Sequence, residues 1–202
     1  MKKNILSLTL SLVVVGLMSL ASCNKIDDYN SNIHDPEIPA AAKEPVKLNL
    51  PSGTQWAPLN VGARTPYDYG SYYTWNPNIV TTTWGSEWTL PTKAQVEELF
   101  ENCTWEAATV NGSSFLVGTA KNVAEGETAA RIYLPCNGYM EPEATTVTKR
   151  GTGGYFWTLD ENPENTENAF YMYANKGKSS IKISTVEAAK KYQYGIRCVK
   201  KQ

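Results

Sequence analysis

Histidine is all but missing: the 202-residue chain has one, His34. A lone histidine leaves no Ser-His-Asp or Cys-His arrangement and no zinc site built from histidines. Cysteine is nearly as sparse, at Cys23, Cys103, Cys136 and Cys198. No second histidine stands by to lower a thiol pKa, so thiol catalysis is not expected. An excess of positive charge is lacking too, with 19 Lys plus Arg against 20 Asp plus Glu. That balance argues against nucleic acid as a partner, since a basic stripe is the usual footprint. The longest apolar run, Ile5 to Leu20, holds 16 residues and includes Ser and Thr. It falls short of the roughly 20 apolar residues a spanning helix needs. Helix signals are also few.

What is present begins at the N-terminus. Lys2 and Lys3 precede the apolar run, and Leu20-Ala21-Ser22-Cys23 closes it. This is the layout of a secretory signal, and its last four residues resemble the bacterial lipoprotein processing signal. The resemblance implies a signal peptide over 1–22, with Cys23 alkylated through sulfur by a diacylglycerol and serving as the mature N-terminus. Asn24, in place of Asp, argues against inner-membrane retention. Lys25-Ile26-Asp27-Asp28 resembles the acidic surface-export signal of Bacteroidetes lipoproteins. The expected location is the outer membrane, lipid-anchored and exposed at the cell surface. Cleavage before Cys23 removes two lysines and no acids, leaving 17 basic against 20 acidic residues. Residues 23–45 carry Pro36, Pro39 and Pro45 and few large apolar side chains, so they read as an extended tether. Residues 46–202 suit one domain with one core.

Thr92 with Gln95 three residues on forms a capping-box signature. Val96, Leu99, Phe100 and Cys103 follow at helical spacing. The expected helix covers Lys93 to Asn102, and a weaker one covers Thr185 to Lys191. Asn111-Gly112 marks a two-residue hairpin turn between Trp105–Val110 and Ser114–Val117. Further strand candidates are Lys47–Leu50, Arg131–Leu134, Tyr155–Leu159, Phe170–Tyr173, Lys178–Ser184 and Tyr194–Lys200. The last of these puts Tyr194, Ile196 and Cys198 on one face. One main helix (about 92–102) among irregular antiparallel strands, with long loops at 60–87 and 137–153, makes an α+β fold.

Seven separated motifs together resemble one family. They are Gln55-Trp56-Ala57-Pro58-Leu59-Asn60-Val61-Gly62-Ala63; Gly70 with Tyr72-Tyr73-Thr74-Trp75; Trp88-Thr89-Leu90-Pro91-Thr92; Cys103-Thr104-Trp105; Tyr133-Leu134-Pro135 with Asn137-Gly138-Tyr139; Gly154-Tyr155-Phe156-Trp157-Thr158; and Gly195-Ile196-Arg197-Cys198-Val199. In this order they resemble the Fibrobacter major-paralogue domain of surface lipoproteins, from about residue 48 to the C-terminus. That family is similar to the C-type-lectin-like fold in its formylglycine-generating-enzyme branch. The resemblance implies N- and C-terminal strands brought together, a helix beside them and a long-loop face opposite. The close cysteine pair that holds copper in formylglycine-generating enzymes has no counterpart here, so no cofactor carries over. In C-type lectins a disulfide joins the helix to the last strand, which corresponds to Cys103 with Cys198. Cys136 with Cys198 is the rival pairing, and three buried thiols the third possibility.

The expected function is non-catalytic recognition of a glycan or of an envelope or host protein. A structural or tip subunit of a surface appendage is the alternative, and an enzyme of the formylglycine-generating kind comes last. Tyr and Trp offer an apolar face with a polar handle, and Tyr67 and Tyr69 are the surface candidates of the aromatic string 67–75. Asp160, Asn162 and Asn165 complete the expected loop-face site. The oxygen-rich stretch 160–168 lacks the ordered spacing of a calcium loop, so no metal is expected. Arg197 is expected to be structural, with a carboxylate as its partner.

Overall fold

The helix α2 (Lys93–Asn102) starts where its caps dictate. Gln95 N–H donates to Thr92 Oγ1 at 3.3 Å, and Thr92 N–H donates to Gln95 Oε1 at 2.9 Å. Val96 and Leu99 point into the core. The computed structural model describes residues 43–175, 177 and 181–201. The signal peptide, Cys23, His34 and the tether up to residue 42 lie outside the described residues, as do residues 178–180 of one expected strand. Lys43 already belongs to the domain: its Nζ donates to Trp84 O at 2.8 Å.

Among the described residues there are two helices and ten strands in four small antiparallel sheets, an α+β arrangement. The strands β3 (Cys103–Val110), β4 (Ser113–Ala120) and β5 (Arg131–Pro135) form one three-stranded sheet. The β3–β4 turn is Asn111-Gly112, with φ of 49° and 81°, the left-handed pair that a type I′ hairpin requires. A second sheet joins β6 (Gly153–Glu161), β7 (Asn168–Asn175) and β8 (Lys182–Ala189). Two two-stranded pairs complete the set: β1 (Tyr73–Thr74) with β9 (Gln193–Tyr194), and β2 (Trp88–Thr89) with β10 (Val199–Lys200). A short helix α1 (Ile79–Thr83) has no signal in the sequence and buries Val80.

Two expectations are corrected. Residues 185–189 are strand, not helix: β8 pairs with β7 from Asn168↔Ala189 to Asn175↔Lys182. Ile183, Thr185 and Val186 are β-branched and suit a pleated surface, and the long-range pairing with β7 overrides a weak local helical preference. The single strand 194–200 is instead two short strands. The link between them bonds elsewhere, Ile196 O accepting from Val61 N and Cys198 O from Ala57 N. Tyr194, Ile196 and Cys198 do share one buried face.

The sheet β6-β7-β8 divides the interior. Phe156, Met172, Ala174 and Ile183 face a core shared with Val96, Leu99, Leu116, Ile132 and Leu134. Tyr155 and Trp157 face a second core with Ala57, Val61, Trp84, Trp88, Leu90 and Ile196. Trp56, Trp84, Trp88 and Trp157 are fully buried. Each removes about 150–250 Å² from water, or roughly 4–6 kcal/mol of hydrophobic stabilisation before entropy is counted.

The two ends of the described domain meet: Val46 bridges Trp56 and Trp56 bridges Val199. Arg197 locks this junction. It is fully buried and meets no carboxylate. Nε donates to Asn60 Oδ1 at 2.8 Å, Nη1 to Ala57 O and Pro58 O at 3.2 and 3.3 Å, and Nη2 to Tyr133 O at 2.7 Å. The expected carboxylate partner is replaced by four oxygens in fork geometry. Burial pulls its pKa below the ordinary arginine value.

Candidate functional site

Asn137-Gly138-Tyr139 begins the long loop after β5 and lays it against β6. Asn137 is buried and pairs with Tyr155 like a strand residue: its Oδ1 accepts from Tyr155 N at 2.8 Å and its Nδ2 donates to Tyr155 O at 3.1 Å. Its own carbonyl accepts from the Tyr72 hydroxyl. Gly138 has φ of 69°, and a Cβ there would stand 2.3 Å from Thr148 O and 2.6 Å from Arg150 N. Only glycine lets these backbones approach so closely. Tyr139 N–H then donates to Thr148 O, and Met140 exchanges hydrogen bonds with Gln193 at 2.9 and 3.0 Å. Gly195 closes the arrangement, its N–H donating to Tyr155 O and its carbonyl accepting from Trp157 N. These links bring three separate stretches, around 139, 155–171 and 192–194, to one place.

There the chain forms a cleft of about 330 Å³ lined by Tyr139, Tyr155, Tyr171, Glu187, Ala188, Tyr192 and Tyr194. The size lies at the lower end for small-ligand sites. The rings pack on one another, with centroids 4.8 Å apart for Tyr139–Tyr155, 4.6 Å for Tyr171–Tyr194 and 6.0 Å for Tyr139–Tyr192. Trp157 backs Tyr194 at 4.4 Å. No hydrogen bond among the described residues engages the hydroxyl of Tyr139, Tyr171, Tyr192 or Tyr194. None of these hydroxyls is sealed from solvent, since the buried side-chain polar atoms without partners are the indole N–H groups of Trp56, Trp84 and Trp88. Burial pushes Tyr171 up to about 12 and also raises Tyr194, Tyr155 and Tyr139, with neighbouring tyrosines adding to each. All four phenols therefore stay protonated well beyond neutral pH.

Glu187 stands opposite Phe170, one position out of step with the Val186↔Tyr171 pair. Strand side chains alternate, so its carboxylate belongs to the other face of the sheet. There it accepts from Asn162 Nδ2.

The residues that the sequence nominates lie elsewhere. Tyr67 is half-buried against Phe115 and Tyr133, at 4.9 and 5.4 Å. Tyr69 is half-buried and carries the Arg150 guanidinium over its ring at 5.2 Å. Asp160 Oδ2 accepts from Lys93 N at 2.8 Å, an anion at the N-terminus of α2. Asn162 and Asn165 close the β6–β7 turn on themselves, accepting from Glu164 N and Glu167 N at 2.9 and 3.2 Å. The two groups share no contact residue. Cys103 and Cys198 are free thiols in different cores, not a disulfide. Burial raises both thiols, Cys103 to about 11. Cys136 is buried as well. Among the described residues no three His, Cys, Asp or Glu side chains gather where a metal could sit.

Comparison with family models, curated proteins and solved structures finds no match. The cleft therefore has to be read from its own chemistry. Three of its five tyrosines, Tyr139, Tyr155 and Tyr194, stand in or beside motifs visible in the sequence. Their convergence depends on the Asn137–Tyr155 pairing and the Met140–Gln193 bridge, which have no periodic signal. The recurrence of tyrosine at 155, 171, 173, 192 and 194 was the available clue.

Proposed function

We propose that this chain is a lipid-anchored lipoprotein of the outer cell surface whose domain is a non-catalytic recognition module of C-type-lectin-like fold. The tyrosine-lined cleft is its ligand site, and a glycan or an envelope or host protein its ligand. The observation that carries the reading is the set of four phenol hydroxyls without internal partners around one cleft. Folding leaves polar groups unengaged beside a cavity only at a cost unless water or a ligand takes them up. The meeting of the two ends of the described domain, with one helix beside them, supports the proposed fold. Leu20-Ala21-Ser22-Cys23 supports the anchor.

The test is a mixed glycan and protein array probed with the full lipidated protein in detergent. The reading expects a selective hit that Tyr171→Ala with Tyr192→Ala abolishes and that Tyr67→Ala leaves in place. A hit indifferent to the cleft pair contradicts it.

One observation favours the second reading, a subunit of a surface assembly. Among the described residues the exposed large hydrophobics are Val110 on β3 and Val186 on β8, both on outer strands of three-stranded sheets. Outer strands are templates for pairing with another chain. Cross-linking on intact cells that joins β8 to an envelope protein, with no array hit, would establish this reading in place of the first.

A further inference from the structure

We infer that the tyrosine cleft selects an uncharged glycan, bound through phenol hydroxyls, over acidic and amino sugars and over peptides. The inference rests on the cleft being the ligand site and adds the ligand's class.

Charge complementarity is the first ground. Apart from the tyrosines, the one ionisable lining residue is Glu187, and its carboxylate is held by Asn162 on the far face of the sheet. Lys190, near the end of β8, is paired with Glu161 at 2.9 Å and lies over Trp75 at 4.5 Å. Among the described residues no cation lines the cleft to receive a carboxylate or sulfate. Glu141 adds a negative charge that raises the Tyr139 phenol, and it disfavours an anion further.

Ring geometry is the second ground. An ammonium ion is recognised by open aromatic faces, with the cation within about 6 Å of each centroid. Here the rings pack on one another instead of walling an open cage: neighbouring tyrosine centroids lie 4.6–6.1 Å apart. No cation fits between rings at that separation. What these side chains have left to offer is the hydroxyl edge.

Hydrogen-bond chemistry is the third ground. A phenol hydroxyl both donates and accepts, as does every hydroxyl of a neutral sugar. Several neutral donor-acceptors around a space of about 330 Å³ match one or two pyranose rings rather than an extended peptide. A peptide would need a row of main-chain partners or a pocket for an anchor side chain.

The experiment titrates the full lipidated protein in detergent with four probes of matched length: neutral gluco-oligosaccharide, neutral manno-oligosaccharide, uronic-acid oligomer and glucosamine oligomer. Tyr171→Phe and Tyr192→Phe are run beside it. These variants keep the rings and remove only unpartnered hydroxyls, so their melting temperatures should match the parent and report an intact fold. The expected result is binding of at least one neutral probe, at least tenfold tighter than either charged probe. Each Phe variant should weaken it by tenfold or more, and 0.5 M salt should leave the affinity unchanged. Tighter binding of a charged probe, or binding indifferent to the Phe variants, overturns the inference. Peptide binding lost in the same variants overturns the glycan class and leaves the cleft as a recognition site. No binding of any probe, together with no hit on the array, overturns both.

Discussion

Single residues decide whether the site exists. Arg197 carries four hydrogen bonds from within the core, to Asn60, Ala57, Pro58 and Tyr133. Replacing it strands those oxygens without donors. Arg197→Lys keeps the charge but loses the planar fork, and should cost about 3–5 kcal/mol in a denaturant melt. A loss under about 1 kcal/mol would show that the junction is not held this way. The tyrosines give a pH signature. Burial holds Tyr139, Tyr155, Tyr171 and Tyr194 above the ordinary value of 10, with Tyr171 at about 12. Stability from their protonated forms is therefore complete below about pH 10 and lost as pH climbs through 12. Melting temperature should be flat from pH 7 to 9.5 and fall steeply above 10.5. Absorbance at 295 nm should show part of the tyrosine titration delayed to the same range. A single titration centred at 10 would contradict the packing.

Helix α2 was legible because its signals are local: Thr92, Gln95 and the apolar spacing of Val96, Leu99 and Phe100 all act within one element. The hairpin at Asn111-Gly112 was legible for the same reason. Strand β8 was not, since residues 185–189 pair with residues 168–172 of β7, outside the reach of any local signal. Asp160 shows the same limit from the other side. Its acidity suggested a ligand contact, while its position beside Lys93 N makes it a stabiliser of the helix start. Asp160→Asn should lower stability by about 1 kcal/mol in thermal or urea unfolding and leave ligand affinity untouched. Weakened binding at unchanged stability would return it to a ligand role. Gly138 is the matching loop position, where a Cβ would collide with Thr148 O and Arg150 N. Gly138→Ala should cost more than about 1 kcal/mol and disorder the Tyr139 wall of the cleft, read as a lost Tyr139–Tyr155 NMR contact. An unchanged contact would mean that the loop has another way to settle.

At the scale of the whole molecule, the long loop after β5, the sheet β6-β7-β8 and the stretch 192–194 converge on one group of tyrosines. Sequence reasoning placed the ligand face at Tyr67, Tyr69, Asp160, Asn162 and Asn165, because aromatic strings and oxygen-rich turns are visible in one dimension. The fold spends those residues on Phe115, Arg150 and the start of α2. It leaves the unpartnered hydroxyls at Tyr139, Tyr171, Tyr192 and Tyr194. The measurement that separates these two surfaces most directly is a titration of protein carrying isotope-labelled tyrosine rings with the first ligand the array identifies. The account predicts that the ring signals of Tyr139, Tyr171 and Tyr192 move with saturation while those of Tyr67 and Tyr69 stay still. Movement of Tyr67 and Tyr69, with the cleft tyrosines silent, would contradict it.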